Sequence, residues 1–267
     1  MSFIVIGGGA FIGTSIAGNI QQLVPAFTPA DLGPKLTLWL DERGQTVVGS
    51  DITNWNDQQT STGPHNMVPR IGFGKPQTGS TINGYTAPQF VRAAPTLMDL
   101  TSPYKLQALI ANNSYHVFSV ANISDIVQNN PSGVSNEGII YSAVAYWYPM
   151  SFKNNGGSPQ MTVGHRSTAP AFETLTVSGL PLSTNVLLET WYDGTNLNCC
   201  IANGSVATQA SLPMNNLDLP YGEVSIGIGS QAMNGNVGTI LVCNQALDGT
   251  ERANVRQYLG NKYGVSY

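Results

Sequence analysis

Charged side chains are scarce in this sequence. Asp, Glu, Lys and Arg make up 10% of its 267 residues, against about 25% in an average soluble domain. The 11 Lys plus Arg are scattered singly and outnumbered by 15 Asp plus Glu, so no positive stripe exists to displace counterions along a phosphate backbone. Nucleic acid is therefore not an expected partner. Cysteine is equally sparse: Cys199, Cys200 and Cys243 are too few, and odd in number, for a secreted disulfide scaffold. Adjacent strand residues point to opposite faces, so Cys199 and Cys200 do not pair with each other. At most one of them could meet Cys243, and buried free thiols are the expectation. His65, His116 and His165 lack the H-x-H or H-x-x-x-H step that preassembles a metal site, so no metal ligands are assigned.

Neutral polar residues and glycine take the place of charge, with 24 Asn and 29 Gly. Such a surface has weak self-repulsion and suits a protein packed against other subunits. A chain of this length can bury a proper core, and one main domain is expected.

The clearest local signal is Val186 to Val206. Two apolar-rich segments, Val186 to Tyr192 and Leu197 to Ala202, flank Asp193-Gly194-Thr195-Asn196, and Asp-Gly supplies the positive φ that a tight hairpin needs. Asn203-Gly204 makes a second turn. Glu223 to Ile228 and Asn236 to Cys243 continue the pattern, broken by Gly229 and Asn234-Gly235. From Asp248 the period becomes helical, with Asp248 as N-cap, Glu251 in capping-box spacing, and Val255, Tyr258, Leu259 and Lys262 on one face.

Earlier strands are expected at Leu36 to Leu40, Tyr85 to Phe90 after Asn83-Gly84, Tyr115 to Ile123, Gln160 to Gly164 and Phe172 to Val177, while Ile52 to Asp57 carries a second Trp and another short acidic step. The run Ile139 to Tyr148 is read as one strand, since its β-branched and aromatic content outweighs its helix-like length. Many short strands with one terminal helix give an all-β sandwich.

Residues 1–34 stand apart, because Asp31 is the first charged residue. Gly7-Gly8-Gly9 after Phe3 to Ile6 has the look of a dinucleotide turn, but Ile12 sits where the third glycine belongs, and Pro25, Pro29 and Pro34 interrupt the βαβ unit it would need. A signal peptide or membrane span lacks a basic n-region and is diluted by polar residues, so membrane contact is not expected. The favoured reading is an anchoring arm. Phe3, Ile4, Ile6 and Phe11 supply apolar contacts, and Gly9, Gly13 and Ala17, at four-residue spacing, form a flat face for close packing. Pro25 to Pro34 is read as a linker, and residues 35–267 as the sandwich.

Leu38-Trp39-Leu40-Asp41 with Trp55-Asn56-Asp57, Asn83-Gly84 with Gln89-Phe90, the strand Tyr115 to Val120, and the C-terminal order from Trp191 to Gly264 together resemble concanavalin A-like domains of the laminin-G-like type, of the kind found in bacteriophage virion proteins. The resemblance implies a two-sheet antiparallel jelly-roll sandwich. It also implies a structural component of a virion, in capsid decoration, a fibre or spike, or the tail, assembled in the host cytoplasm. The arm would dock on other virion proteins, and the sandwich would be displayed toward a host-surface glycan. Homo-oligomerisation, a trimer for example, follows only from the habit of that family. The alternative is a carbohydrate-binding module or lectin outside a virion, and a glycan hydrolase comes third.

Glycanases of this fold carry two carboxylates on an E-x-D-x-x-E strand. The sequence has no such step, so no catalytic residue is assigned and an enzyme is not expected. Asp193 and Asn196 are candidate calcium ligands by resemblance, but their place in a tight turn explains them without a cofactor. Trp39 and Trp191 belong to apolar strands and are read as core. For sugar contact the candidates are Trp55 and the triplet Tyr146, Trp147 and Tyr148, within which at least one ring must face away from the core.

Overall fold

The computed structural model describes residues 26–59, 65–101, 105–110, 114–127, 137–142, 147–167, 172–214, 222–227 and 232–267, together with the backbone of residues 5, 6, 9 and 10. Strands β1 (Val5–Ile6) and β2 (Gly9–Ala10) pair with each other. After a 3-10 segment, Pro29–Lys35, come β3 (Leu36–Leu40), β4 (Gln45–Val48), β5 (Asp51–Trp55), β6 (Met67–Pro69), β7 (Gln77–Ile82), β8 (Tyr85–Phe90) and β9 (Met98–Leu100). One turn of helix, α1 (Leu106–Leu109), precedes β10 (Tyr115–Asp125), β11 (Glu137–Ser142), β12 (Trp147–Asn155), β13 (Ser158–Arg166) and β14 (Phe172–Ser178). Then β15 (Asn185–Tyr192), β16 (Asn196–Ile201), β17 (Ala207–Ala210), β18 (Ser225–Ile226) and β19 (Asn234–Cys243) lead to α2 (Gly249–Tyr263).

The pairings resolve into two layers. The first runs β17, β16, β15, β10, β19, with β3 and the β8–β7 hairpin sharing the far side of β19. The second runs β14, β13, β12, β11, β18, β9, β6, β5, β4. Every one of these ladders is antiparallel, and the Asp51–Gln77 pair of β5 and β7 joins the two layers. The expected all-β sandwich with a C-terminal helix is thus what the chain builds.

Alternation along β10 shows how one strand serves two cores. Tyr115, Val117, Ala121 and Ile123 face the second layer, in a core shared with Trp55, Trp147, Phe152 and Ile226. Phe118 and Val120 face the opposite way and meet Val255, Leu259 and Tyr263 of α2. The helix begins where expected: Asp248 accepts from the Thr250 and Glu251 amides at 2.8 and 2.9 Å, while Glu251 accepts from the Asp248 amide at 3.1 Å. It ends at Gly264 in the left-handed region, the usual stop.

The hairpin of β15 and β16 forms at the expected turn, with Gly194 at φ 99°. All three cysteines are free and buried, and burial pushes the Cys199 thiol up to about 12. Two expectations need correction. Pro25 to Pro34 is not simply a linker: Leu32 is buried in the helix-side core, with Phe27 packed against it, and Lys35 forms an ion pair with Glu251. Proline fixes φ near the helical value, which suits a 3-10 turn as well as a spacer. Ile139 to Tyr148 is two strands, not one, because Ser142 pairs with Trp147 across the β11–β12 ladder. No Gly, Pro, Asn or Asp marks that reversal in the sequence. Of the arm, Ile6 and Gly9 lie in the β1–β2 ladder, whereas Phe3, Ile4, Phe11, Gly13 and Ala17 lie outside the described residues.

Candidate functional site

Trp55 and Trp147 are each 0% exposed, which corrects their candidacy as sugar platforms. The Trp55 indole donates to the Asp41 carbonyl at 2.7 Å. Trp147 meets Tyr115 edge to face, 5.6 Å between centroids. Tyr146 lies outside the described residues. Tyr148 points away from the core between the layers but is itself buried at 7% exposure, so none of the candidate rings among the described residues offers an open face. With Trp147 directed into the core, its neighbour on the strand projects from the outer face of the second layer.

That outer face carries an ordered row. Tyr148 pairs with Gly164 of β13, and Gly164 pairs with Thr174 of β14. The register shifts between the Ser142–Trp147 and Ile140–Met150 pairs, and at that irregularity the Tyr141 and Tyr148 rings lie stacked at 6.3 Å with 26° between their planes. Tyr141 pairs with Ser225, Ser225 with Asp99, and Asp99 with Val68. Directly opposed residues share a face, so Thr174, Gly164, Tyr148, Tyr141, Ser225, Asp99 and Val68 form one line across seven strands.

Gly164 lets the Tyr148 ring lie close against the sheet. A Cβ there would stand 2.5 Å from Tyr148 Cε2 and 2.6 Å from the Glu173 carbonyl, so only glycine lets the ring rest on the sheet. Tyr148 is 7% exposed, and burial pushes its phenol up to about 12, so the hydroxyl is a neutral hydrogen bonder at physiological pH. We expect Gly164→Ala to lift the ring and cost about 1 to 3 kcal/mol, the range for overpacking. A denaturant midpoint checks the cost, and the aromatic NMR shifts of Tyr141 and Tyr148 check the displacement.

At the other end the row becomes polar. Arg70 grips Asp99 as a fork, Nε to Oδ2 at 2.6 Å and Nη2 to Oδ1 at 2.7 Å, and Nη2 also donates to Ser225 Oγ at 2.8 Å. Ser225 Oγ donates in turn to Asp99 Oδ1 at 2.8 Å. The Arg70 and Asp99 side chains remain 31% and 27% exposed, so the network is rigid yet reachable. Lys105 and Glu223 pair beside it at 3.1 Å. A half-buried tyrosine ring next to fixed, partly exposed donors and acceptors is an arrangement from which polar-ligand sites are built.

Other groups do not offer this. Asp193 Oδ1 accepts from the Thr195 amide, the Thr195 hydroxyl and the Asn196 amide at 2.8 to 2.9 Å. N–H and O–H donors thus surround the carboxylate, and Asp193 and Asn196 serve the turn. Helix α2 borders a shallow depression of about 250 Å³ lined by Gly249, Arg252, Ala253, Arg256 and Tyr267, but both guanidinium groups are committed to the buried Glu189. His116 Nε2 meets the same carboxylate at 2.8 Å. His165 instead lies near the Leu212 carbonyl at 3.1 Å, and His65 near the Thr37 carbonyl at 2.8 Å. The histidines thus have separate environments, and no group of three metal-ligating side chains occurs among the described residues.

No protein-family model matches the chain, and no curated protein matches it in sequence. Solved structures do match in shape. Botulinum neurotoxin type C, whose entry into cells depends on two ganglioside molecules, superposes with a TM-score of 0.61 at 14% identity over 87% of this chain and 53% of that one. The binding domain of botulinum neurotoxin DC gives 0.56 at 12% identity, over 84% and 51%. Domain 4 of an extracellular arabinanase from Geobacillus stearothermophilus, in complex with arabinotriose, gives 0.54 at 15% identity, over 84% of this chain and 98% of that one. The likeness is one of fold. This chain spans about half the length of the toxin structures and nearly all of the arabinanase domain.

Sequence reasoning singled out Tyr148 and missed its companions. Tyr141 was absorbed into the supposed single strand. Arg70, Asp99 and Ser225 come from distant segments, and β9 and β18 are three and two residues long, too short to signal themselves.

Proposed function

We propose that this chain is a non-catalytic glycan-binding β-sandwich module whose site is the transverse row on the outer face of the second layer. The observation that carries this reading is the half-buried Tyr141 ring, stacked on the buried Tyr148, next to the partly exposed Arg70–Asp99 fork. Ring faces pack against the C–H faces of sugars, and the network addresses hydroxyl groups. Arabinotriose and gangliosides as ligands of proteins with this fold add support by analogy only.

Binding rather than hydrolysis is favoured by the state of the carboxylates. Both Asp99 oxygens are held by Arg70, and Glu223 pairs with Lys105. Glycan-array screening followed by calorimetry tests the proposal. Wild-type protein retains a glycan without releasing reducing sugar, and Tyr141→Ala weakens binding at least about tenfold, or ~1.4 kcal/mol, with an unchanged unfolding midpoint. Retention of no glycan, or full affinity in Tyr141→Ala, contradicts it.

A second reading, attachment to a virion through residues 1–34, rests on the absence of charge before Asp31 in the sequence. Under it, deletion of residues 2–25, which spares Phe27 and the 3-10 segment, leaves glycan binding intact and abolishes incorporation into particles. Continued incorporation would rule that reading out.

A further inference from the structure

The geometry points to a second sugar-binding face on the opposite side of the sandwich, a ladder of side-chain amides that takes a neutral, hydroxyl-rich chain in addition to the ligand held near Tyr141. The inference rests on the glycan reading for the class of ligand, but on none of the residues of the first site. It gives one chain two faces with which to hold two strands of a polysaccharide.

Five strands of the first layer place an amide at the same level. Asn185 of β15 stands opposite Asn122 of β10, Asn122 opposite Asn236 of β19, Asn236 opposite Gln89 of β8, and Gln89 opposite Gln77 of β7. Directly opposed residues share a face, and their neighbours along the strands, Ala121, Val186, Val237 and Phe90, belong to the core between the layers. The amides therefore lie on the outer face, the one that carries α2. The helix-side core takes in Val120, Leu187 and Ala87 two positions away and stops short of the row. Asn185 and Gln89 are exposed, and Asn122, Asn236 and Gln77 are half-buried. Four steps between strands, at about 4.8 Å each, give the ladder a length of about 19 Å.

The bonds within the ladder show that it does more than tie the sheet together. At one end Asn122 Nδ2 donates to Asn185 Oδ1 at 2.9 Å. At the other, Gln77 Nε2 donates to Asp51 Oδ1 at 2.8 Å and Gln77 Oε1 accepts from Ser50 Oγ at 2.7 Å. The two central amides, Asn236 and Gln89, make no side-chain hydrogen bond among the described residues, and Asn236 Oδ1 is without a partner. A sheet gains nothing from amides left so, whereas each offers an incoming hydroxyl both a donor and an acceptor. Charge narrows the class. Recognition of a carboxylate or sulfate calls for an unmatched Arg or Lys, and the ladder has neither. Asp51 at its end is paired with Lys75 at 3.5 Å, and Asp125, further along β10, with Arg92 at 2.7 Å. An extended sugar chain advances by roughly one strand spacing per unit, so successive units meet successive amides.

Titration of the full chain, followed by NMR through the side-chain amide signals of Asn and Gln in nitrogen-labelled protein, tests this. The probes are linear hexasaccharides of arabinose, xylose and glucose. At least one shifts the Asn236 and Gln89 signals to saturation, in wild type and in Tyr141→Ala alike. Gln89→Ala, a truncation at an exposed position, leaves the unfolding midpoint unchanged and weakens the binding read at Asn236 at least about fivefold. Asn236 and Gln89 signals that stay still while the Tyr141 ring responds overturn the inference and leave the proposed function standing, and so does wild-type affinity at Asn236 in the Gln89→Ala protein. Movement of the amides with no response at Tyr141 supports the inference and removes the site proposed above. No response at either place, with every probe, overturns both.

Discussion

Glu189→Ala is expected to lower the free energy of unfolding by about 3 to 5 kcal/mol, the usual cost of breaking a buried ion pair from one side. Glu189 is 1% exposed and faces α2 from β15. It accepts from Arg252 Nε at 2.7 Å, from Arg256 through Nε at 2.6 Å and through Nη2, and from His116 Nε2 at 2.8 Å. Removing it strands two guanidinium groups that are each only 21% exposed. The Arg252 guanidinium also lies 3.8 Å from the centroid of Trp191, whose other neighbour is the stacked His116 ring at 5.1 Å. The carboxylate thus pins the helix to the sheet through one continuous stack. A urea midpoint measures the loss, and a change under about 1 kcal/mol would show the network to be incidental.

The same network sets a pH dependence. Burial alone raises a carboxyl, but hydrogen bonds from His116 and Arg252 outweigh it and hold Glu189 at about 2, below its ordinary 4.5. That contribution is complete above about 4.5 and is lost as the pH falls toward about 2. For His116, burial pushes the imidazole below its ordinary 6.5 in spite of Glu189. The unfolded chain therefore takes up a proton on His116 before the folded one does, and stability declines as the pH drops below about 6.5. The difference between wild type and Glu189→Gln across this range isolates the carboxylate.

Trp147→Ala is the second large effect, and its character distinguishes core from site. The ring is fully buried against Tyr115 in the core between the layers, so truncation costs about 3 to 5 kcal/mol. Any loss of glycan binding in this variant tracks its unfolding. Tyr141→Ala, one ladder position away and on the opposite face, leaves stability nearly unchanged while weakening binding. A Trp147→Ala protein that keeps wild-type stability yet loses its ligand would reverse the assignment of faces.

Most of the scaffold was legible from local signals. The Asp193-Gly194 hairpin, the Asp248–Glu251 capping box and the turn at Asn83-Gly84 encode their own geometry within a few residues, and each forms as expected. The reversal between β11 and β12 carries no turn residue among Ala143, Val144, Ala145 and Tyr146, so its apolar run read as continuous. The site was legible only at Tyr148. Its other members owe their proximity to register between β11, β18 and β9, segments separated by tens of residues or more, and no periodicity within one segment reports such pairing. The sequence around Glu189 likewise gives no sign of its partners, which arrive from α2 and β10.

The most direct test is the position of a bound oligosaccharide in a crystal of the complex. The account predicts sugar rings laid across β12, β11, β18 and β9, with one ring over Tyr141 and hydroxyl groups in contact with Arg70, Asp99 or Ser225. Sugar bound instead against α2, or on any surface that leaves Tyr141 and Arg70 untouched, would contradict it.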